Sequence, residues 1–249
     1  MSRFKALRVR AAQGRQYIPD LRAATPAGHR GRPVISSAAC AEGCAACVEV
    51  CPTRAVALGP VAIDLGRCVF CNLCAEACPP KKIDFTPATQ MAATSRDALL
   101  VREGDTQALR ARAHETFAKL FGRSLKLRQV SAGGCNACEL ELNAAANVNF
   151  DMGRFGIDWV ASPRHADALV LTGPLTKTMR DAVRLAWDAM PEPRFLVAVG
   201  ACTISGGLHE GPANDRRFLD DVGPTLYVPG CPPHPLTFVN AVLDLLGAP

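Results

Sequence analysis

Twelve cysteines are the residues in this chain best suited to do chemistry, and they fall into two sets. Cys40, Cys44, Cys47 and Cys51 spell Cys-x3-Cys-x2-Cys-x3-Cys before Pro52, and Cys68, Cys71, Cys74 and Cys78 spell Cys-x2-Cys-x2-Cys-x3-Cys before Pro79. Cys135, Cys138, Cys202 and Cys231 are spread over the second half. Clustered thiols behind no apolar export signal read as metal ligands, not as a disulfide framework. The doubled motif then selects the metal: three thiolates on one tight loop bind three irons of a [4Fe–4S] cubane, and the fourth ligand comes from the other motif. One cluster is therefore expected on Cys40, Cys44, Cys47 and Cys78, and a second on Cys68, Cys71, Cys74 and Cys51. A zinc ribbon would need paired Cys-x2-Cys knuckles and would leave cysteines over. The Cys40–Cys44 spacing holds one residue too many, and Gly43 is the residue able to absorb it in a wider loop.

The elements that must position these thiols differ between the halves. Around the doubled motif there is room only for short strands and one-turn helices, with apolar stretches at 55–58 and 82–85. The second half alternates: strands at 125–130, 157–161, 168–172, 195–199 and 225–228, helices from about 139, at 178–190 and at 235–246. Such alternation predicts a parallel, doubly wound sheet. Cys135 and Cys138 would follow its first strand, Cys202 the strand at 195–199, and Cys231 the strand at 225–228. Ligands in open parallel sheets bind beyond the carboxyl ends of the strands, so all four thiols should converge there on a third cubane. Four buried structural cysteines are the alternative, which leaves their shared loop placement unexplained. The fold expected is an α+β two-cluster ferredoxin domain followed by an α/β flavodoxin-like doubly wound domain. The divisions are a basic segment 1–32, a ferredoxin domain 33–90, a linker 91–112 holding the start of a helix at 106–121, and a cluster domain 113–249. The cysteine-free gap between Cys78 and Cys135 predicts that the halves separate.

Residues 33–87 resemble bacterial two-cluster ferredoxins. The stretches Gly134-Cys-Asn-Ala-Cys-Glu-Leu-Glu, Ala161-Ser-Pro-Arg-His-Ala-Asp, Val170-Leu-Thr-Gly-Pro-Leu-Thr, Val197-Ala-Val-Gly-Ala-Cys and Pro229-Gly-Cys-Pro-Pro resemble the small subunit of membrane-bound [NiFe] hydrogenases, formate hydrogenlyase included. That family is in turn similar to the quinone-end cluster subunit of respiratory complex I. The chain thus resembles a fusion of two neighbouring subunits. The resemblance implies a proximal [4Fe–4S] cluster on Cys135, Cys138, Cys202 and Cys231, facing a large catalytic subunit, with membrane subunits and an upstream donor or acceptor as further partners. Cys135-x2-Cys138 favours the hydrogenase branch, because complex I carries an adjacent cysteine pair. Two departures stand out: a shortened segment between Cys202 and Cys231, and His234 where complex I relatives carry arginine. Glu141, Arg164 and His165 are expected around the third cluster, with Glu141 relaying protons or holding the large subunit. The bland readings are helix-dipole stabilisation for Glu141 and a polar loop for the other two.

Composition narrows the rest. The 249 residues are 49% hydrophobic, enough for real cores, and only 6% aromatic, which argues against base-stacking nucleic-acid platforms. Net charge is +5, yet residues 1–32 hold eight Lys and Arg against Asp20 alone, so the remainder is mildly acidic. The basic start reads as a helix on a membrane surface or against membrane subunits, with a solvated tail as the ordinary alternative. No apolar run is long enough to span a bilayer. The expected location is cytoplasmic, peripheral on the inner face of the membrane within a complex. His29, His114 and His209 are expected at the surface. A complex I-like electron-delivery arm and a stand-alone ferredoxin-type carrier are the competing functions, and no catalytic residue is expected in the chain itself.

Overall fold

The computed structural model describes residues 4–14, 16–106, 109–111, 114–122 and 124–248. Arg3 and Arg15 of the basic segment, residues 107, 108, 112 and 113 of the expected linker and domain start, and Arg123 lie outside them.

In chain order the elements are α1 (Lys5–Gln13), β1 (Pro33–Ile35), α2 (Ala46–Glu49), β2 (Val56–Ala57), β3 (Ala62–Asp64), α3 (Leu73–Ala77), β4 (Ile83–Phe85), β5 (Leu100–Arg102), α4 (Glu115–Phe121), β6 (Leu125–Ser131), α5 (Ala137–Ala144), β7 (Ile157–Trp159), β8 (Ala168–Thr172), α6 (Arg180–Asp188), β9 (Phe195–Val199), α7 (Gly200–Ser205), α8 (Arg217–Val222), β10 (Leu226–Val228) and α9 (Pro235–Leu245). Strands of the first half are two or three residues long. β1 pairs with β4, and β2, β3 and β5 form a second antiparallel sheet. The core between them is built partly from the cysteines themselves, with Cys47, Cys68 and Cys74 among Ile63, Leu65, Leu99 and Val101.

The second half is a five-stranded parallel sheet ordered β7-β6-β8-β9-β10. Numbered from β6, that is 2-1-3-4-5, the flavodoxin-like order. β8 is buried along its whole length, as a central parallel strand covered on both faces must be. Ala168 and Val170 face one core with Leu142 of α5 and Phe238 of α9. Leu169 and Leu171 face another with Val183 and Trp187 of α6 and Phe218 of α8. Phe117, Phe121 and Phe195 meet edge-on and pin α4 beneath the sheet.

Three boundaries move. Residues 91–112 are no free linker. β5 fills the open edge of β3, pairing Val101 with Ile63, and Arg96 grips the Asp64 carboxylate at 2.8 and 2.5 Å. Of the helix expected over 106–121, the described residues hold α4, where the His114 side chain caps its start. Residues before 33 are not all tail: Leu21 is buried against the second domain, Asn240 donates to its carbonyl, and Arg22 pairs with Asp244. By contrast α1 buries none of its residues.

The halves also share surface. Ala198 and Ile204 join the ferredoxin-side core, and Ala93 exchanges hydrogen bonds of 3.1 and 2.8 Å with Tyr227 at the sheet's edge. A fragment ending at residue 90 loses the burial of Leu99 and Val101, worth about 3–6 kcal/mol. A fragment of residues 28–106 is expected to retain ordered secondary structure and iron where one of residues 28–90 does not, as circular dichroism and iron analysis will show.

Candidate iron-sulfur sites

The two motifs of the first half interleave in space. Cys47, in α2, lies within electrostatic reach of Cys78, Cys40 and Cys44. Cys68 is in reach of Cys74, Cys51 and Cys71. Cys51, Cys68, Cys71 and Cys74 line one enclosed, mostly apolar cavity with Val56, Ile63 and Phe85. Backbone amides point at sulfur: Ala55 to Cys51 at 3.1 Å, Phe70 to Cys68 at 3.3 Å, and Lys82 to Cys78 at 3.3 Å. Gly43 adopts φ +70°, which makes the wider Cys40–Cys44 loop feasible. Lys82 is itself buried, its ammonium bonded to the Ala38 carbonyl ahead of Cys40 and to Glu103.

The third set gathers at the carboxyl ends of β6, β9 and β10. Cys138 is in reach of Cys202, Cys231 and Cys135. A Cβ on Gly200, whose φ is +86°, would lie 2.7 Å from the Cys138 sulfur. The Ala201 amide donates to the Gly230 carbonyl at 2.9 Å, which ties α7 to the Cys231 loop. One local device recurs in both halves. Asn72, in Cys71-Asn-Leu-Cys74, and Asn136, in Cys135-Asn-Ala-Cys138, both take left-handed backbone (φ 75° and 68°) and open α3 and α5. Asparagine tolerates that region, and the turn carries the second cysteine into a first helical turn. This repeated Cys-Asn-x-Cys was a sequence signal for the site's geometry.

Burial raises the thiols first, and repulsion among sister sulfurs raises them further. Cys68 is pushed up to about 12, Cys74 and Cys202 to about 11, and Cys47, Cys138 and Cys231 also rise; beside Cys138 the Glu139 carboxylate adds to the effect. Anions so placed need compensating positive charge. Soft thiol donors, amides aimed at sulfur and a closed apolar cavity together fit iron–sulfur binding. Among the described residues no three His, Cys, Asp or Glu side chains are gathered as a site for a single metal ion.

Of the side chains expected nearby, Glu141 lies one turn after Cys138 on the same helical face, with its carboxyl raised by burial. Glu139, which also follows the Cys138 loop and was given no role of its own, is buried and accepts from the Thr172 hydroxyl at 2.6 Å. Arg164 and His165 are not brought to the site. They are exposed in the turn before β8, level with Lys126, whose carbonyl accepts from Asp167. Five residues of strand, about 16 Å, separate that level from Ser131 at the cysteine end. His29 is not a plain surface residue either. Its ring packs 5.1 Å from that of His234, with Nε2 buried and unpaired, while His234 Nδ1 caps α9 and burial beside His29 pushes His234 down to about 4. His114 and His209 are exposed, as expected.

The paired cysteine motifs and the thiol-rimmed parallel sheet define an electron-transfer subunit of an oxidoreductase. Residues 135–245 match the family described as NADH ubiquinone oxidoreductase, 20 Kd subunit, and residues 61–81 match a 4Fe-4S binding domain. A probable membrane-bound hydrogenase subunit of Pyrococcus furiosus is 39% identical over 127 residues, covering 50% of this chain and 75% of that protein. Formate hydrogenlyase subunit 7 of Escherichia coli is 42% identical over 130 residues, 52% of this chain and 51% of that one. NADH-quinone oxidoreductase subunit 6 of Thermus thermophilus is 37% identical over 126 residues, 50% of this chain and 69% of that one. A chain of an archaeal membrane-bound sulfane sulfur reductase is similar at 26% identity and a TM-score of 0.44, over 53% of this chain and 73% of that one. The chain belongs to the NADH–ubiquinone oxidoreductase 20 Kd subunit family, and its matches span between half and three quarters of these relatives.

Gly200→Ala is expected to force the Cys138 sulfur aside and to lower the iron bound per chain. Iron per chain, with the ferredoxin-half signals retained by electron paramagnetic resonance, is the measurement.

Proposed function

We propose that the chain holds three [4Fe–4S] clusters and relays single electrons to or from the catalytic large subunit of a membrane-bound [NiFe] hydrogenase or formate hydrogenlyase-like complex. The ligand sets are Cys40, Cys44, Cys47 and Cys78; Cys68, Cys71, Cys74 and Cys51; and Cys135, Cys138, Cys202 and Cys231. When bound, such clusters supply one-electron redox chemistry. The observation that carries the reading is the linear order of the sites. Cys74 of the middle set is in electrostatic reach of Cys47 of the first, and Cys71 lines one cleft with Cys231 of the last. The fully exposed thiols belong to the two end sets, Cys40 to the first and Cys135 and Cys231 to the last, whereas the middle set is buried at Cys68 and Cys74 and half-buried at Cys51 and Cys71.

The residues divide the labour accordingly. The first half takes electrons at the Cys40 loop and keeps water from the middle set with Val56, Ile63 and Phe85. The rim of the parallel sheet presents the last set to a partner, with the exposed Leu140 and Leu208 on neighbouring elements as apolar cover for that contact. Among the described residues no helix is long and apolar enough to cross a membrane, so membrane subunits would hold the assembly at the inner face. A complex I-like quinone reductase arm is the second reading, favoured by the match over residues 135–245. Against it stands the Cys135-x2-Cys138 spacing.

Anaerobically purified chain is expected to hold about twelve iron and twelve sulfide. About eight iron would remove one site from the relay. Purification with native partners, followed by hydrogen-evolution and quinone-reduction assays, separates the two readings. Hydrogen chemistry with nickel supports the first, and quinone reduction without either supports the second. A lone chain stable in air with all clusters would leave only a carrier.

A further inference from the structure

Helix α7 carries Cys202 and is only six residues long, so its last carbonyls run out of intrahelical partners almost as soon as the helix begins. The side chain that meets them comes from the far side of the loop. Arg216 donates through Nη1 to the Thr203 carbonyl at 2.7 Å and the Cys202 carbonyl at 3.4 Å, and through Nη2 to the Ile204 carbonyl at 2.6 Å. Three consecutive carbonyls of the ligand-bearing helix are therefore held by one guanidinium. Two further contacts box the helix in. The Ala201 amide binds the Gly230 carbonyl, and Ile204 packs so closely on the ferredoxin half that a Cβ on Gly66 would lie 2.7 Å from its methyl.

The guanidinium is largely buried, and its charged surroundings come from both halves: Asp220 and Glu210 of opposite sign, Arg96 and Arg67 of like sign. Glu210 is already engaged by Arg54 at 2.7 Å and Arg67 at 3.3 Å. With Arg96 held by Asp64, the group sums to Arg54, Arg67, Arg96 and Arg216 against Glu210, Asp64 and Asp220, one net positive charge at the negative end of α7. A buried cation stabilises whichever state of a neighbouring group carries more negative charge.

We propose that Arg216 is a positioning residue for the Cys202 site, locking α7 through its last carbonyls and fixing a positive charge that favours the reduced state of the cluster there. This rests on the reading that Cys202 ligates a third cluster. The guanidinium touches no sulfur; it acts through the helix and through its field. The segment from Cys202 to Cys231 is thereby given a role beyond connection, since it returns Arg216 to the base of the helix it left.

The test is a redox titration of the full-length chain, followed by electron paramagnetic resonance, for the parent, Arg216→Gln and Arg216→Lys. Arg216→Gln keeps a donor and removes the charge. Its third cluster is expected to become about tenfold harder to reduce, a shift of 59 mV for a one-electron couple, while the other two clusters stay put. Arg216→Lys keeps the charge and is expected to stay within about threefold of the parent. A third cluster lost in Arg216→Gln but present in Arg216→Lys also supports the assignment. Equal shifts in both variants, no shift in Arg216→Gln, or loss of the third cluster in both with the other two intact would overturn it. A parent chain with only two clusters would instead overturn the reading of the Cys202 site, which is a separate result.

Discussion

Thiols crowded into a dry pocket resist ionisation, and that resistance governs how this molecule is built. Burial and mutual repulsion hold Cys68, Cys74 and Cys202 far above the ordinary thiol range, so thiolates there need compensating positive charge. Metal binding is then part of folding free energy. The dependence is strongest in the first half, whose strands are too short to enclose a core without Cys47, Cys68 and Cys74 as members.

The second half solves the problem differently. Its parallel sheet is covered on both faces by α5 and α9 and by α6 and α8, and owes nothing in its cores to cysteine. Its thiols are therefore confined to the rim, where strand ends and helix starts offer glycines, prolines and backbone amides. The consequence is exposure: Cys135 and Cys231 stand at the surface, and water exclusion there falls to a neighbouring surface.

Between the halves, contact is made where the ligands are. Ile204, two residues after Cys202, sits in the ferredoxin-side core, and Ala93 extends the sheet at Tyr227 next to the Cys231 loop. Joining the two thiol-bearing units in one chain thus constrains the distance between their cysteine sets as well as their stoichiometry.

Much of this was legible in the residues alone. Cysteine spacing within the doubled motif is a local property, so the first two sets could be proposed from it alone, whereas the third needed the expected parallel sheet to bring Cys135, Cys138, Cys202 and Cys231 together. The strands at 168–172 and 195–199 were readable to the residue because continuous burial writes continuous apolar runs. What stayed hidden depended on contacts distant in sequence. β5 is a strand because β3 has an open edge, not because Leu100–Arg102 announces one. Arg164 and His165 were expected near the third set from the resemblance of their loop, yet parallel register sends them to the opposite end of the sheet. His29 and Arg216 acquire their partners, His234 and the carbonyls of α7, only when chain segments return to the same place. Local spacing marked out which thiols could act together; the order and register of the strands decided which charges and rings surround them, because electric fields and packing act through space and not along the chain.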